Sequence, residues 1–209
     1  MPATKFDEPT RERILRIASD LFYRQGITAT GVDEITRQTG VAKTTMYRAF
    51  GSKDGLVAAY LERRGADWRA HLEEQVSAAA DDPAGRLLAV FDVLAAWMAG
   101  DDFRGCPFIN AAGELCDPEH PGVVATREHR AALTAYLEDL AREAGATDPA
   151  ALVRRLLLLY DAAMVDGQLD GDPLRAARDA KAAAEVLVAA AMPGAGAGRE
   201  RAHRRPPVD

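Results

Sequence analysis

The sequence predicts an all-α protein, and three observations carry that expectation. Every segment of any length repeats its apolar residues at helical spacing. No stretch of alternating β-branched residues is long enough to make a strand. Glycines, Asp-Pro and Pro-Gly pairs fall between the periodic segments, where helices stop and start.

Nine helices follow in order. Ile14, Ile17, Ala18, Leu21 and Phe22 form one apolar stripe from Thr10 that stops before Gly26, giving a first helix over about 10–25. Thr30 with Asp33 three residues later resembles a capping box with the shorter acid, and Val32 and Ile35 give a short second helix its apolar face before Gly40. A third helix covers roughly 42–50 and ends at Gly51. Ser52 is a good N-cap for a long fourth helix, beginning near Lys53, in which Leu56, Tyr60, Leu61, Trp68, Leu72 and Val76 are buried to about residue 80. DDPAG at 81–85 breaks it and puts Pro83 in the first turn of a fifth helix, with Leu87, Leu88, Phe91, Leu94, Ala95 and Met98 on one side. A sixth starts at Pro107 and is ended by CDPEHPG at 116–122. The seventh runs from about Val123 to Ala144, and TDP at 147–149 opens the eighth.

The eighth helix, ALVRRLLLLYDAAMVDGQL, is apolar over more than one stripe, which requires burial on two sides. The ninth, about 173–192, carries Ala176, Ala180, Ala183, Ala184, Leu187 and Ala191 on a small-residue face that permits close helix approach. A four-helix bundle of helices 8 and 9 from two subunits satisfies both faces and predicts a homodimer; a bundle closed within one chain is the alternative. The tail PGAGAGRERAHRRPPVD is rich in Gly, Pro and Arg and is expected to be disordered, with Arg199, Arg201, Arg204 and Arg205 solvated.

Over 209 residues the chain is 48% hydrophobic and 28% charged, enough for one sizeable core and a small attached module. The opening MPATKFDEPT has no apolar run behind a basic start, and no segment reaches the length that spans a bilayer, so a cytoplasmic protein without a membrane partner is expected. Cys106 and Cys116 are too few for a disulfide framework and lack CxxC spacing; reduced thiols are expected. The net charge of -6 argues against general nucleic-acid affinity, but residues 1–53 hold nine Lys/Arg against six Asp/Glu, while 54–209 hold seventeen against twenty-six. A basic front is joined to an acidic body.

The third helix concentrates polar groups in barely two turns. With Met46 at zero on a helical wheel, Phe50 and Ala42 fall about 40° to either side, so the three point inward together. Thr44 and Arg48 lie opposite, with Thr45 and Tyr47 flanking them. An apolar back and a polar front are the layout of a recognition helix in a major groove, with the second and third helices joined at Gly40 as a helix-turn-helix. The same face also suits an ordinary solvated helix.

The segment ILRIASDLFYRQGITATGVDEITRQTGVAKTTMYRAFGSKDGLVAAYLERR resembles the DNA-binding domain of the tetracycline-repressor (TetR) family of bacterial transcriptional regulators over about fifty residues without gaps. Ala18, Leu21, Phe22 and Gly26 match its helix-1 pattern, and Gly40, Val41, Lys43, Tyr47, Phe50, Lys53 and Leu56 stand in register with its helix-turn-helix signature. Thr36, Ala42 and Ala49 depart from it, standing where the family usually has alanine, an N-cap serine and an aromatic residue. The resemblance implies that Tyr47, Lys53 and Lys43 grip phosphates and that Thr44, Thr45 and Arg48 reach base edges. It further implies that Thr30 offers its hydroxyl at the start of helix 2, with Arg37 nearby. The division that follows is a helix-turn-helix domain at 1–52, a helical ligand-binding and dimerisation domain at 53–192 and the tail at 193–209.

In that family small molecules binding the body release the repressor from palindromic DNA, so an unknown small-molecule ligand is expected. Cys106, Asn110 and Glu114 lie four apart on the sixth helix and suggest a polar strip in a cavity lined by Trp68, Phe91, Trp97, Phe103, Tyr136, Tyr160 and Met164. Those aromatics are equally suited to plain core. The fourth helix leaves the DNA-binding domain at Ser52 and Lys53, so tilting it would change the separation of two recognition helices that must sit roughly 34–36 Å apart; a coupling of about 1–3 kcal/mol suffices for release. Cys106 and Cys116 with His120 and His129 match no metal-ligand spacing, so no metal or other cofactor is expected. There is no Ser/His/Asp set and no phosphate-binding glycine loop, which speaks against an enzyme; a dimeric DNA-binding regulator or activator without a ligand is the nearer alternative.

Overall fold

A computed structural model of the chain describes residues 8–193, and the C-terminal arginines at 199–205 lie outside them. Among the described residues there are nine helices: α1 (Glu8–Gln25), α2 (Val32–Thr39), α3 (Lys43–Phe50), α4 (Lys53–Ala79), α5 (Pro83–Met98), α6 (Pro107–Glu114), α7 (Pro121–Glu143), α8 (Pro149–Asp170) and α9 (Pro173–Ala191). The all-α expectation holds for these residues. None of these helices is long and apolar enough to cross a membrane.

Local chemistry sets most boundaries. Asp82, Asp148 and Asp172 each precede a proline and accept from the backbone N–H three residues on, at Gly85, Ala151 and Arg175. The aspartate satisfies an amide that the helix cannot, and the proline at N1 has none to satisfy. Ser52 does the same for Gly55 at 3.0 Å, as its N-cap position predicts. α7 begins two residues earlier than expected because Pro121 is itself suited to a first helical turn and Val123 and Val124 donate back to His120.

The chain forms two compact units. One contains the residues up to Arg69 together with Arg104–Ala131; the other contains Ala70–Phe103 with the residues from Ala132 onward. In the first, the stripe on α1 supplies Ile14, Ala18, Leu21 and Phe22 to a core that also holds Ile35, Met46, Leu56, Tyr60 and Leu61. Phe108 and Ala111 of α6 and Ala125 of α7 belong to the same cluster. Phe22 and Tyr60 pack with ring centroids 5.7 Å apart. Each such large side chain contributes about 1.5–3 kcal/mol by leaving water.

In the second unit α9 packs chiefly on α8 and then on α5. Phe91, Leu94 and Met98 of α5 are buried, as are Leu156, Tyr160 and Met164 of α8. The end of α9 is tied to the loop before α8, where Thr147 donates to the Ala191 carbonyl through its N–H at 2.9 Å and its hydroxyl at 3.1 Å. The small-residue face of α9 was expected to serve packing between subunits. Of that face Ala176, Ala180 and Ala184 are buried within the chain, where methyl side chains let α9 approach its own α8 and α5 closely, while Ala183, Leu187 and Ala191 are half-buried. The faces left outward carry larger apolar residues: Leu158 is 68% exposed, Leu169 77% and Val186 68%, with Val165 and Leu174 beside them in sequence.

Candidate nucleic-acid interface

α2 and α3 are joined through Gly40, which caps α2 with φ 67° and ψ 18°. That left-handed conformation costs a residue with a Cβ about 1–2 kcal/mol, so glycine makes the tight turn cheaply. α3 then turns Met46 fully inward, where it joins Ile14, Ile35 and Leu56 in the core, and Phe50 packs partly against the same cluster. Arg11 of α1 lies over the Phe50 ring, 4.8 Å from its centroid, a cation–π contact behind the end of the helix.

The opposite face is open. Thr44 and Arg48 are exposed, Tyr47 is 44% exposed and Thr45 is half-buried at the edge. The expected inward trio is corrected at one member: Ala42 is exposed, because it is the N-cap, with φ -68° and ψ 148°, and lies outside the helical register. Its methyl group leaves α3 without a side-chain cap.

Charge around this face is balanced locally. The Lys43 ammonium pairs with the Asp33 carboxylate, linking the first turns of α3 and α2, and that hydrogen bond raises the lysine's pKa. Arg37 grips Glu34 through Nε at 2.9 Å and Nη2 at 2.6 Å. Those hydrogen bonds raise the pKa of Arg37 and, with a further one from Gln38, lower that of Glu34. The Glu34–Arg37 pair is local to α2, three residues apart, whereas only the turn at Gly40 brings Asp33 to Lys43.

Two expected phosphate donors are engaged elsewhere. Thr30 is 1% exposed, and its hydroxyl donates to the Gly26 carbonyl at 2.7 Å. This corrects both its role as a phosphate donor and the capping box: the Gly26 carbonyl just beyond α1, which also accepts from the Thr30 N–H at 3.3 Å, draws the hydroxyl inward, and Gly31 caps α2 instead, without a side-chain bond. Lys53 donates from Nζ to the Ile27 carbonyl at 2.6 Å and is partly buried.

The expected ligand residues divide between the units. Trp68, Cys106, Asn110 and Glu114 are in the first; Phe91, Trp97, Phe103, Tyr136, Tyr160 and Met164 are in the second. Phe91 and Tyr160 meet edge to face with centroids 6.4 Å apart, and Trp97 and Phe103 do so at 5.2 Å. Burial raises the pKa of Tyr136. The polar strip on α6 is corrected: Cys106 is the N-cap residue, Asn110 donates from Nδ2 to the Arg104 carbonyl at 2.9 Å, and Glu114 accepts from the amides of Ile27 and Thr28. Glu114 caps the turn between α1 and α2 because two amides without helical partners face it. A cleft of about 180 Å³ lies in the first unit between α4 and α7, with Leu61, Gly65, Ala66, Ala125 and His129 among its walls. None of the ten expected ligand residues lines it. Among the described residues no group of three His, Cys, Asp or Glu side chains is placed to hold a metal ion.

A buried apolar back, a glycine turn and an open polar front define a helix-turn-helix protein. Residues 14–60 match the model of bacterial regulatory proteins of the tetR family, and residues 83–184 match the tetracyclin repressor-like C-terminal domain. The structure of SCO4454, a TetR-family transcriptional regulator from Streptomyces coelicolor, is 32% identical with a TM-score of 0.81, covering 87% of this chain and 95% of that one. That of sav143, a putative TetR transcriptional regulator from Streptomyces avermitilis, is 33% identical with a TM-score of 0.70, covering 84% and 98%. The match to the transcriptional repressor NemR of Escherichia coli is 28% identical over 112 residues, 53% of this chain and 56% of NemR, so the chain spans about half the length of the curated relatives it matches. The chain belongs to the TetR family and is a DNA-binding transcriptional regulator.

Proposed function

We propose that the protein is a cytoplasmic, homodimeric repressor that binds a palindromic operator through α3 and leaves it when a small molecule binds the helical body. The observation that carries the reading is α3 itself, with Met46 buried and Thr44, Tyr47 and Arg48 exposed on the other side. Arg48 with Thr44 and Thr45 would read base edges, and Tyr47 and Lys43 would hold phosphates. Arg37 and Lys53 are more distant supports, each already bonded within the protein. The division of labour proposed is DNA binding by residues 1–52 and ligand binding and dimerisation by 53–192.

Leu158, Val165 and Leu169 on α8 and Leu174 and Val186 on α9 support dimerisation through those helices, since exposed apolar faces of this size favour a partner. NemR, a similar chain, is a repressor, which favours repression over activation here.

Selection of bound fragments from random duplexes by the purified chain tests the reading. A palindrome with half-sites about one helical turn apart is expected. A small-molecule screen by thermal shift, followed by release from that palindrome, tests the sensor. Stabilising compounds that leave operator affinity unchanged would point to a ligand-independent regulator.

A further inference from the structure

The turn between α1 and α2 is held from two sides by residues far away in sequence. Glu114, the last residue of α6, accepts from the Ile27 N–H through Oε1 at 3.1 Å and from the Thr28 N–H through Oε2 at 2.7 Å. Lys53, the first residue of α4, donates to the carbonyl of the same Ile27 at 2.6 Å. The Ile27 backbone is therefore bonded at its N–H by a carboxylate and at its C=O by an ammonium, while its side chain is buried in the core. The carboxylate sits close: a Cβ built on Gly26, whose φ is 95°, would lie 3.2 Å from both of its oxygens. Charged acceptors on successive amides form strong hydrogen bonds, and the Ile27 bond is part-buried, so losing the acceptor costs more there than at the exposed Thr28.

We propose that Glu114 is a positioning residue for DNA binding: its carboxylate, opposed by Lys53, fixes the α1–α2 turn and thereby the angle at which α2 and the recognition helix α3 are presented. This rests on the assignment of α3 as the DNA-reading element. α2 starts four residues beyond Thr28 with no side-chain cap of its own, so its entry depends on the turn, which Glu114 holds together with Lys53 and the Thr30 hydroxyl on the Gly26 carbonyl. Lys53 follows the end of α3 by three residues, so the second hold lies where α3 hands over to α4. The proposal separates Glu114 from any ligand cavity and makes docking of the last turn of α6 a condition of tight operator binding.

The full chain and its Glu114→Gln and Glu114→Met variants are compared on the selected palindrome and on a random duplex, with amide exchange followed at Ile27 and Thr28. Gln keeps shape and one acceptor but turns a donor toward a donor; Met keeps length and packing only. Each variant is expected to lose operator affinity on the order of tenfold, with random-duplex binding nearly unchanged and Ile27 and Thr28 exchanging faster than in the parent. Glu114→Gln binding the palindrome like the parent overturns the proposal, as does equal loss on both duplexes. If either variant fails to fold, the parent decides: rapid exchange at Ile27 and Thr28, with α1 protected, overturns the hold. Should the parent prefer no duplex, the DNA-reading assignment of α3 falls and this proposal with it, even when the exchange data show the turn held.

Discussion

The imidazole of His129 lies on the ring of Phe108, with centroids 3.7 Å apart and planes 8° from parallel. Burial, and then the charges of Arg69 and Arg130, lower its pKa from 6.5 to about 4. As pH falls, the unfolded chain takes up the proton first, so the contribution of the neutral ring is complete above about pH 6.5 and lost by about pH 4. After allowance for solvent screening of a partly exposed ring, that loss is about 1–3 kcal/mol. Urea unfolding of the parent and His129→Phe from pH 7 to 4 checks it, since Phe stacks without titrating. A constant stability difference across that range contradicts the assignment.

Arg48 stands on the open face of α3 opposite Met46. Replacing it by Ala is expected to relax preference at one base pair by about 1–3 kcal/mol, with little change on random duplex. Competition binding against a set of single-base operator variants measures this. Uniform weakening across the set assigns Arg48 to the phosphates instead.

Asp33 holds the Lys43 ammonium at the start of α3. Asp33→Asn removes a negative charge beside the proposed phosphate-binding lysine, so affinity for every duplex should rise at low salt and the gain should fade as salt increases. Anisotropy titrations between dilute and physiological salt test it, and unchanged or weaker binding argues against Lys43 as a phosphate contact.

Ala42 has extended N-cap backbone but no oxygen to offer the first amides of α3. Ala42→Ser should stabilise the protein by about 1 kcal/mol, raising the melting midpoint by about 2–4 °C. Calorimetry at constant protein concentration decides it; no rise means the α3 amides already have acceptors.

Leu169 is the most exposed of the large apolar residues on α8. Leu169→Asp is expected to shift sedimentation from dimer to monomer at micromolar concentration and to weaken palindrome binding far more than half-site binding. A variant that still sediments as a dimer moves the interface off this face.

What could be read from sequence was what short-range chemistry decides. The Asp-Pro starts of α5, α8 and α9, the Ser52 cap and the stripe on α1 each depend on residues within a turn or two. Met46 against Thr44 and Arg48 was legible for the same reason. Thr30 was misplaced because its hydroxyl had two suitable neighbours, the α2 amides and the Gly26 carbonyl, and only the path of the turn selects the carbonyl. Glu114 was misassigned because its partners lie 86 and 87 residues away, where no periodicity points to them. The alanines of α9 announced close packing without saying which helix would be packed against.

Tyr23 near the end of α1 accepts from the Arg104 N–H at 2.8 Å and donates to the Gly105 carbonyl at 3.0 Å, just ahead of α6. Arg64 covers its ring 4.6 Å from the centroid, and burial raises its pKa. At its far end α6 reaches the chain leaving α1 through Glu114. The chain on both sides of α6 is thus tethered to α1 and the turn that follows it, and pulling the two apart breaks four hydrogen bonds spread over the whole length of α6.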